Sequence, residues 1–327
     1  IINNMKIEDS KQLTYNYKDS AWGYLLAVIV PLVFQLIISI IITCVAATKN
    51  ITGEEFLKTN SAVAAVYFSI SSLTLLATFF VFNKVRKKRI TTCAKIEFKF
   101  GLKNLLVCIC LSLIVLFGFN YFINLLTYLM SLAGYKPDTS MPLPLNTVGW
   151  LFVNLFVLAL VPAVCEELMY RGIILNGLRS KGTHFAVLIS ALIFAVAHGS
   201  AMQFFYQFIL GAVLGYVVVR TGSLIASMLV HFLNNATVII VNYISTVKDL
   251  HLDEVATSWS AFDIVFAICM AIAAAGATIL LLSFLKPKKE EILYSKTNEK
   301  FDSLTITLIS IAGAISLIIW CMGTFIN

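Results

Sequence analysis

The chain has 327 residues, of which 59% are hydrophobic and only 13% charged, with a mean hydropathy of +0.90. Soluble domains carry roughly a quarter charged residues, so this balance excludes an ordinary water-solvated domain and requires lipid as solvent. The net charge of +7 does not indicate nucleic acid, because the Lys and Arg residues sit in short blocks between apolar runs, where they set membrane topology.

Apolar runs of membrane-spanning length recur along the chain, and none shows the sustained alternation of a barrel strand, so the fold class is all-α, a polytopic helical membrane protein. The first run, Trp22 to Ala47, is too long for the core of a cleaved signal and reads as an uncleaved signal-anchor helix. Further runs follow at about 61–83, 104–133, 148–170, 184–203, 204–220, 223–247, 261–285 and 303–326, giving eight or nine spans. The short pair at 184–220 and the last run set that margin.

The loops fix an orientation. After the second run comes Lys84-Val85-Arg86-Lys87-Lys88-Arg89, with Lys95, Lys99 and Lys103 behind it. The loop after the fourth is read as holding Arg171, Arg179 and Lys181, and that after the eighth holds Lys286, Lys288, Lys289, Lys296 and Lys300. The intervening loops pair Lys49 and Lys58 with Glu54 and Glu55, or, at 248–260, are net acidic. The positive-inside rule then places the N-terminus and the basic loops in the cytoplasm of a multi-pass cell-membrane protein. The seven cysteines form no CxxC pair, and Cys108 and Cys110 point to different helix faces, so they read as packing or lipid-facing residues. Gly211-Ala212-Val213-Leu214-Gly215 is a GxxxG and predicts a close helix contact. Trp22 and Trp150 read as interfacial anchors.

Charge inside a bilayer is costly and defaults to function. The first three runs hold no acid, base or histidine in their apolar cores, whereas Glu166 and Glu167 lie in the fourth, His198 in the fifth and His231 in the seventh. Spacing of four places Glu167 with Arg171, Phe194 with His198 and His231 with Asn235, each pair on one helix face. Glu166, about 100° round the helix from Glu167, is left outside the ion pair and available for chemistry. His198 falls about 14 residues into its run, roughly 20 Å deep, so a tilted or late-starting helix is needed to bring it level with Glu166.

The sequence Glu166-Glu167-Leu168-Met169-Tyr170-Arg171 resembles the EExxxR motif of the CPBP family, intramembrane peptidases related to the type II CAAX prenyl endopeptidase. Phe194-Ala195-Val196-Ala197-His198 resembles its FxxxH motif and His231-Phe232-Leu233-Asn234-Asn235 its HxxxN motif, and the run from Gly211 through Gly215, Arg220 and Thr221-Gly222-Ser223 is similar as well. The resemblance covers about 145–245 and divides the chain into N-terminal helices (1–140), a CAAX-endopeptidase-like catalytic core (145–245) and C-terminal helices (255–327). It implies hydrolysis of a peptide bond in a membrane-associated peptide or lipidated peptide, with membrane lipid as surroundings and no nucleic acid. Candidate substrates are a prenylated C-terminus or a bacteriocin- or signal-peptide-like chain. Glu166 and His198 would activate water, His231 and Asn235 would stabilise the oxyanion, and Glu167 and Arg171 would be orienting.

No cofactor is required for that chemistry. The alternative is zinc held by Glu166, His198 and His231, a His₂Glu set on three helices without HExxH. Two non-peptidase readings compete: a membrane scaffold or bacteriocin self-immunity protein that keeps the fold without catalysis, and a transporter using the same groups as a proton relay. The second lacks the internal repeat such folds show.

Overall fold

A computed structural model describes residues 14–94, 96, 101–136, 141–250, 258–285 and 300–325. The polar stretch before Thr14, most of the acidic loop at 248–260, and the basic residues Lys95, Lys99, Lys286, Lys288, Lys289 and Lys296 lie outside the described residues, as does the Cys93 side chain. Nine principal helices follow in order: α1 (Tyr17–Ala47), α2 (Ser61–Val85), α3 (Leu102–Leu132), α4 (Val148–Lys181), α5 (Thr183–Ala197), α6 (Ala201–Thr221), α7 (Leu224–Lys248), α8 (Ala261–Phe284) and α9 (Ser303–Phe325). Short helices Gly53–Thr59 and Ile90–Cys93 lie in two of the connections. Eight of the nine are long and apolar enough to cross a membrane, and α5, with 15 residues, is the short one. The chain is a multi-pass helical membrane protein.

Local sequence sets the helix ends. Asn16 caps α1 in a box with Asp19, and Ser260 caps α8 with Asp263. Gly222 at φ 65° closes α6, and Gly182 at φ 123° breaks the chain between α4 and α5. Two span boundaries differ from the sequence expectation. The fourth span does not end near residue 170: α4 continues as helix to Lys181, and Arg171 is a fully buried helical residue rather than part of a basic loop. Its charge is matched by Glu167 on the same helix, so it carries no pressure to leave the membrane. The fifth span does not reach 203: α5 stops at Ala197, His198 is its C-cap and Gly199 adopts φ 61°.

These two shifts together resolve the depth of His198. In the α4–α5 hairpin Glu166 and His198 are the same number of residues from the turn at Gly182, so antiparallel packing brings them level without special tilt. Around α4 pack α1, α2, α5, α6 and α7, while α9 lies on α1 and α5, and α8 packs chiefly on α3. The outer half of α1 turns Val33, Phe34, Leu36, Ile37, Ile40 and Ile41 outward, as lipid contact requires. Cys108 and Cys165 are buried and Cys44, Cys110, Cys269 and Cys321 exposed, so Cys108 and Cys110 do face different ways.

One end of the bundle gathers basic side chains from distant parts of the chain. Asp19, fully buried, accepts from Arg86 at 2.6 Å and pairs with Lys88 at 3.2 Å. Lys18 pairs with Asp302 at 2.7 Å, and Lys181 sits 4.3 Å over the Tyr17 ring and 5.0 Å over Phe301. The start of α1, the loop after α2, the α4–α5 turn and the start of α9 are thereby joined at that end. Asp19→Ala removes the acceptor shared by the partly exposed Arg86 and the buried Lys88, which keeps the Thr14 carbonyl. The expected result is a loss of about 2 kcal/mol, read as a lowered thermal midpoint in detergent, and an unchanged midpoint contradicts this role.

Candidate active site

The site is built on a stretch of α4 that is not regular α-helix. A single α-helical segment, Val161–Glu167, lies between π-helical turns at Leu155–Leu160 and Leu168–Leu175. Such turns recur at functional sites because they redirect side chains from the regular helical face. Here the segment ends on the two glutamates.

Glu167 and Arg171 form the expected pair. Arg171 Nη1 donates to Glu167 Oε1 at 2.6 Å, and both side chains are wholly buried. Arg171 Nη2 donates to the Gly211 carbonyl of α6 at 3.1 Å. The GxxxG reading of α6 explains how that carbonyl comes within reach. A Cβ on Gly211 would lie 3.1 Å from Ala191 Cα, and one on Gly215 would lie 3.0 Å from Val187 Cγ1, so both glycines admit α5 to close contact. The guanidinium also stacks 4.3 Å from the Phe194 ring centroid.

Phe194, which spacing paired with His198, also meets Tyr170, His231 and Arg171, contacts that spacing did not reveal. Its fully buried ring meets His198 at 4.6 Å between centroids, Tyr170 at 5.2 Å and His231 at 5.8 Å, all edge-on. The two histidines are oriented through Nδ1. His198 Nδ1 lies 2.8 Å from the Phe194 carbonyl, which can only accept, so this nitrogen carries the proton and Nε2 the lone pair of the neutral ring. His231 Nδ1 faces Glu167 Oε1 at 3.2 Å and donates to it, turning Nε2 to within 4.0 Å of Glu166 Oε2. Glu167 is thus engaged twice, by Arg171 and by His231.

Glu166 is outside that network: its Oε2 is buried and accepts no hydrogen bond among the described residues, whereas on Glu167 both contacts fall on Oε1 and it is Oε2 that has none. The Glu166 side chain lines a cavity of about 310 Å³ whose wall also includes Tyr170, His198, Ser71, Ser316 and Gln35. The structure therefore brings Glu166 and His198 to one cavity and sets His231 beside Glu166. It does not place Asn235 with them. Asn235, one turn beyond His231, donates to the Leu158 carbonyl of α4 at 3.3 Å and accepts from Asn234 at 3.4 Å. Asn234 in turn accepts from the Tyr206 hydroxyl. This chain, from α6 through α7 to α4, was missed because Asn234 and Tyr206 belong to no motif, although two adjacent asparagines inside a span are themselves a sign of interhelical bonding. Among the described residues no three His, Cys, Asp or Glu side chains converge closely enough to hold a metal ion.

Residues 148–237 match the family model described as type II CAAX prenyl endopeptidase Rce1-like. The matched segment runs from the start of α4 into α7 and contains Glu166, Glu167, Arg171, Phe194, His198, His231 and Asn235. No curated protein and no solved structure matches the chain.

Removing one member of a buried ion pair strands the other. Glu167→Ala and Arg171→Ala are each expected to cost about 3 kcal/mol or more, whereas the double substitution costs less than the two combined. Thermal unfolding of the four proteins in one detergent forms the cycle, and additive losses contradict the coupling.

Proposed function

We propose that this chain is an intramembrane endopeptidase that hydrolyses a peptide bond of a membrane-associated peptide or lipidated peptide. The observation that carries the reading is the position of Glu166: a partly buried carboxylate, outside the Glu167–Arg171 ion pair, on the wall of a cavity it shares with His198. A carboxylate in a membrane domain with no Arg or Lys paired to it among the described residues is costly to keep and marks a functional group. The match of residues 148–237 to a protease family supports the same class of reaction.

In this reading a water in the cavity lies between Glu166 and His198. Glu166 takes its proton as the oxygen bonds to the scissile carbonyl carbon, and the Nε2 lone pair of His198 accepts the second O–H and aims the nucleophile. The carbonyl oxygen becomes an oxyanion. His231 meets it as a donor when Nε2 is protonated, because Nδ1–H is already given to Glu167. Glu167 then balances the imidazolium charge, as a buried carboxylate does behind the imidazole of a hydrolase triad. Asn235, with one amide hydrogen on Leu158, has the other for the oxyanion once bound substrate draws the turn inward. Collapse breaks the C–N bond as the proton held by Glu166 passes to the leaving amine.

The reaction so written uses no metal, and the spread of the carboxylate and imidazoles favours that form over zinc. The N-terminus and the basic end of the bundle are assigned to the cytoplasm, from which the substrate reaches the cavity.

Purified protein in lipid nanodiscs should cleave apolar reporter peptides, and Glu166→Gln should lower the rate by about two to four orders of magnitude with the thermal midpoint unchanged. A chelator should leave the wild-type rate unaltered. Turnover that survives Glu166→Gln contradicts the role given to Glu166, and a wild-type protein that cleaves nothing leaves the scaffold or immunity reading in its place.

A further inference from the structure

The cavity beside Glu166 is walled mostly by parts of the chain outside the matched segment. Along α1 it is lined by Ala27, Val28, Pro31, Leu32 and Gln35, along α2 by Ser71 and Leu75, and along α9 by Ser316 and Ile319. The register of α1 against α4 fixes what faces the carboxylate. Ser20 Oγ donates to the Ile174 carbonyl at 2.8 Å, and a Cβ on Gly23 would touch Ile173 Cγ2 at 2.9 Å. Counting outward from these contacts on antiparallel helices sets Ala27 level with Tyr170, Pro31 level with Glu166, and Gln35 one turn beyond.

On the α1 side of this wall two acceptors have no obvious use in folding. Pro31 is buried inside α1 and has no N–H, so the carbonyl four residues earlier, that of Ala27, loses its helical partner. Gln35 is an amide in an otherwise apolar stretch, and its Oε1 is buried with no hydrogen-bond partner among the described residues. Ala27 and Gln35 lie two turns apart, about 12 Å along the axis. An extended peptide rises about 3.3 Å per residue and directs alternate N–H groups to one side, so amides four residues apart are spaced about 13 Å.

We infer that Ala27, Pro31 and Gln35 form a backbone-recognition strip that holds the substrate as an extended peptide, with the bond to be cut level with Glu166. The inference rests on the peptidase reading and names its substrate class: an apolar segment, unwound from helix, whose main-chain N–H groups are unmethylated. Unwinding inside a bilayer leaves backbone groups that lipid cannot satisfy, and the strip supplies acceptors on one side of the chain. The side chains of the segment meet Val28, Leu32, Leu75, Val196 and Ile319, which favour aliphatic residues and exclude charge.

The test measures binding in the Glu166→Gln background, in nanodiscs, with two dansyl-labelled nonapeptides of alternating Leu and Ala. One has free amides and the other has alternate amides N-methylated. The free-amide peptide should bind at least about tenfold more tightly than the methylated one, the worth of a buried hydrogen bond. Pro31→Ala returns an N–H to the ladder and closes the Ala27 acceptor. It should raise the thermal midpoint yet weaken free-amide binding about tenfold and shrink the discrimination between the peptides. Gln35→Leu, of similar volume, should weaken binding likewise. Equal binding of the two peptides, discrimination that persists in both variants, or no binding of either peptide overturns the inference. Absence of cleavage of the free-amide peptide by the wild-type protein sinks the peptidase reading instead, and the binding comparison then still stands or falls by itself.

Discussion

The burial of one guanidinium organises this protein. Arg171 is wholly removed from solvent, and a charge in that position is tolerable only if it is paired, as Nη1 and Nη2 are while Nε has no hydrogen-bond partner among the described residues. Its partners lie on different elements: Glu167 on α4, the Gly211 carbonyl on α6 and the Phe194 ring on α5. Glu167 extends the network to α7 through His231. Four helices are therefore registered by one side chain and its carboxylate. The consequence for chemistry is a division between neighbours. Glu166 and Glu167 are the same residue type, one position apart, yet one is bound to Arg171 and His231 and the other faces a cavity.

The histidines inherit their orientation from the same arrangement. His198 donates to the Phe194 backbone and His231 to Glu167, so each ring presents Nε2 rather than Nδ1 outward from its support. Neither orientation depends on a flexible surface contact, because Phe194, Glu167 and Arg171 are fully buried. A second polar chain, Tyr206 to Asn234 to Asn235 to Leu158, ties α6, α7 and α4 one turn away. Interhelical hydrogen bonds take over part of the work that the hydrophobic effect performs in water, since lipid is as apolar as the helices themselves.

How far the sequence revealed this depended on whether the interaction was local. Spacing of four on a helix identified Glu167 with Arg171 and Phe194 with His198, and the helical character of the chain followed from its apolar runs. It does not identify the end of α4, because Arg171 and Arg179 have the sequence character of loop markers. A positive residue marks a loop only when its charge needs water, and Arg171 has its counter-charge one turn away. The depth of His198 looked inconsistent for the same reason: the hairpin was counted from the wrong turn. The cavity walls were out of reach for a different cause. α1 is apolar nearly all round, so nothing in its pattern says that Pro31 and Gln35 lie against α4 while Phe34 and Ile37 face lipid. Asn235 shows the converse limit, since sharing a face with His231 did not bring its amide to the same contacts.

The central claim is that two adjacent membrane carboxylates have been made unequal, one locked and one open. Dicyclohexylcarbodiimide enters lipid and couples to carboxyl groups that are accessible and able to take a proton, so labelling followed by peptide mass mapping reads the claim directly. The account predicts a dicyclohexylurea adduct on Glu166 and none on Glu167 in the folded, lipid-reconstituted protein. An adduct on Glu167, or an unmodified Glu166 alongside labelled carboxylates elsewhere in the membrane region, would contradict it.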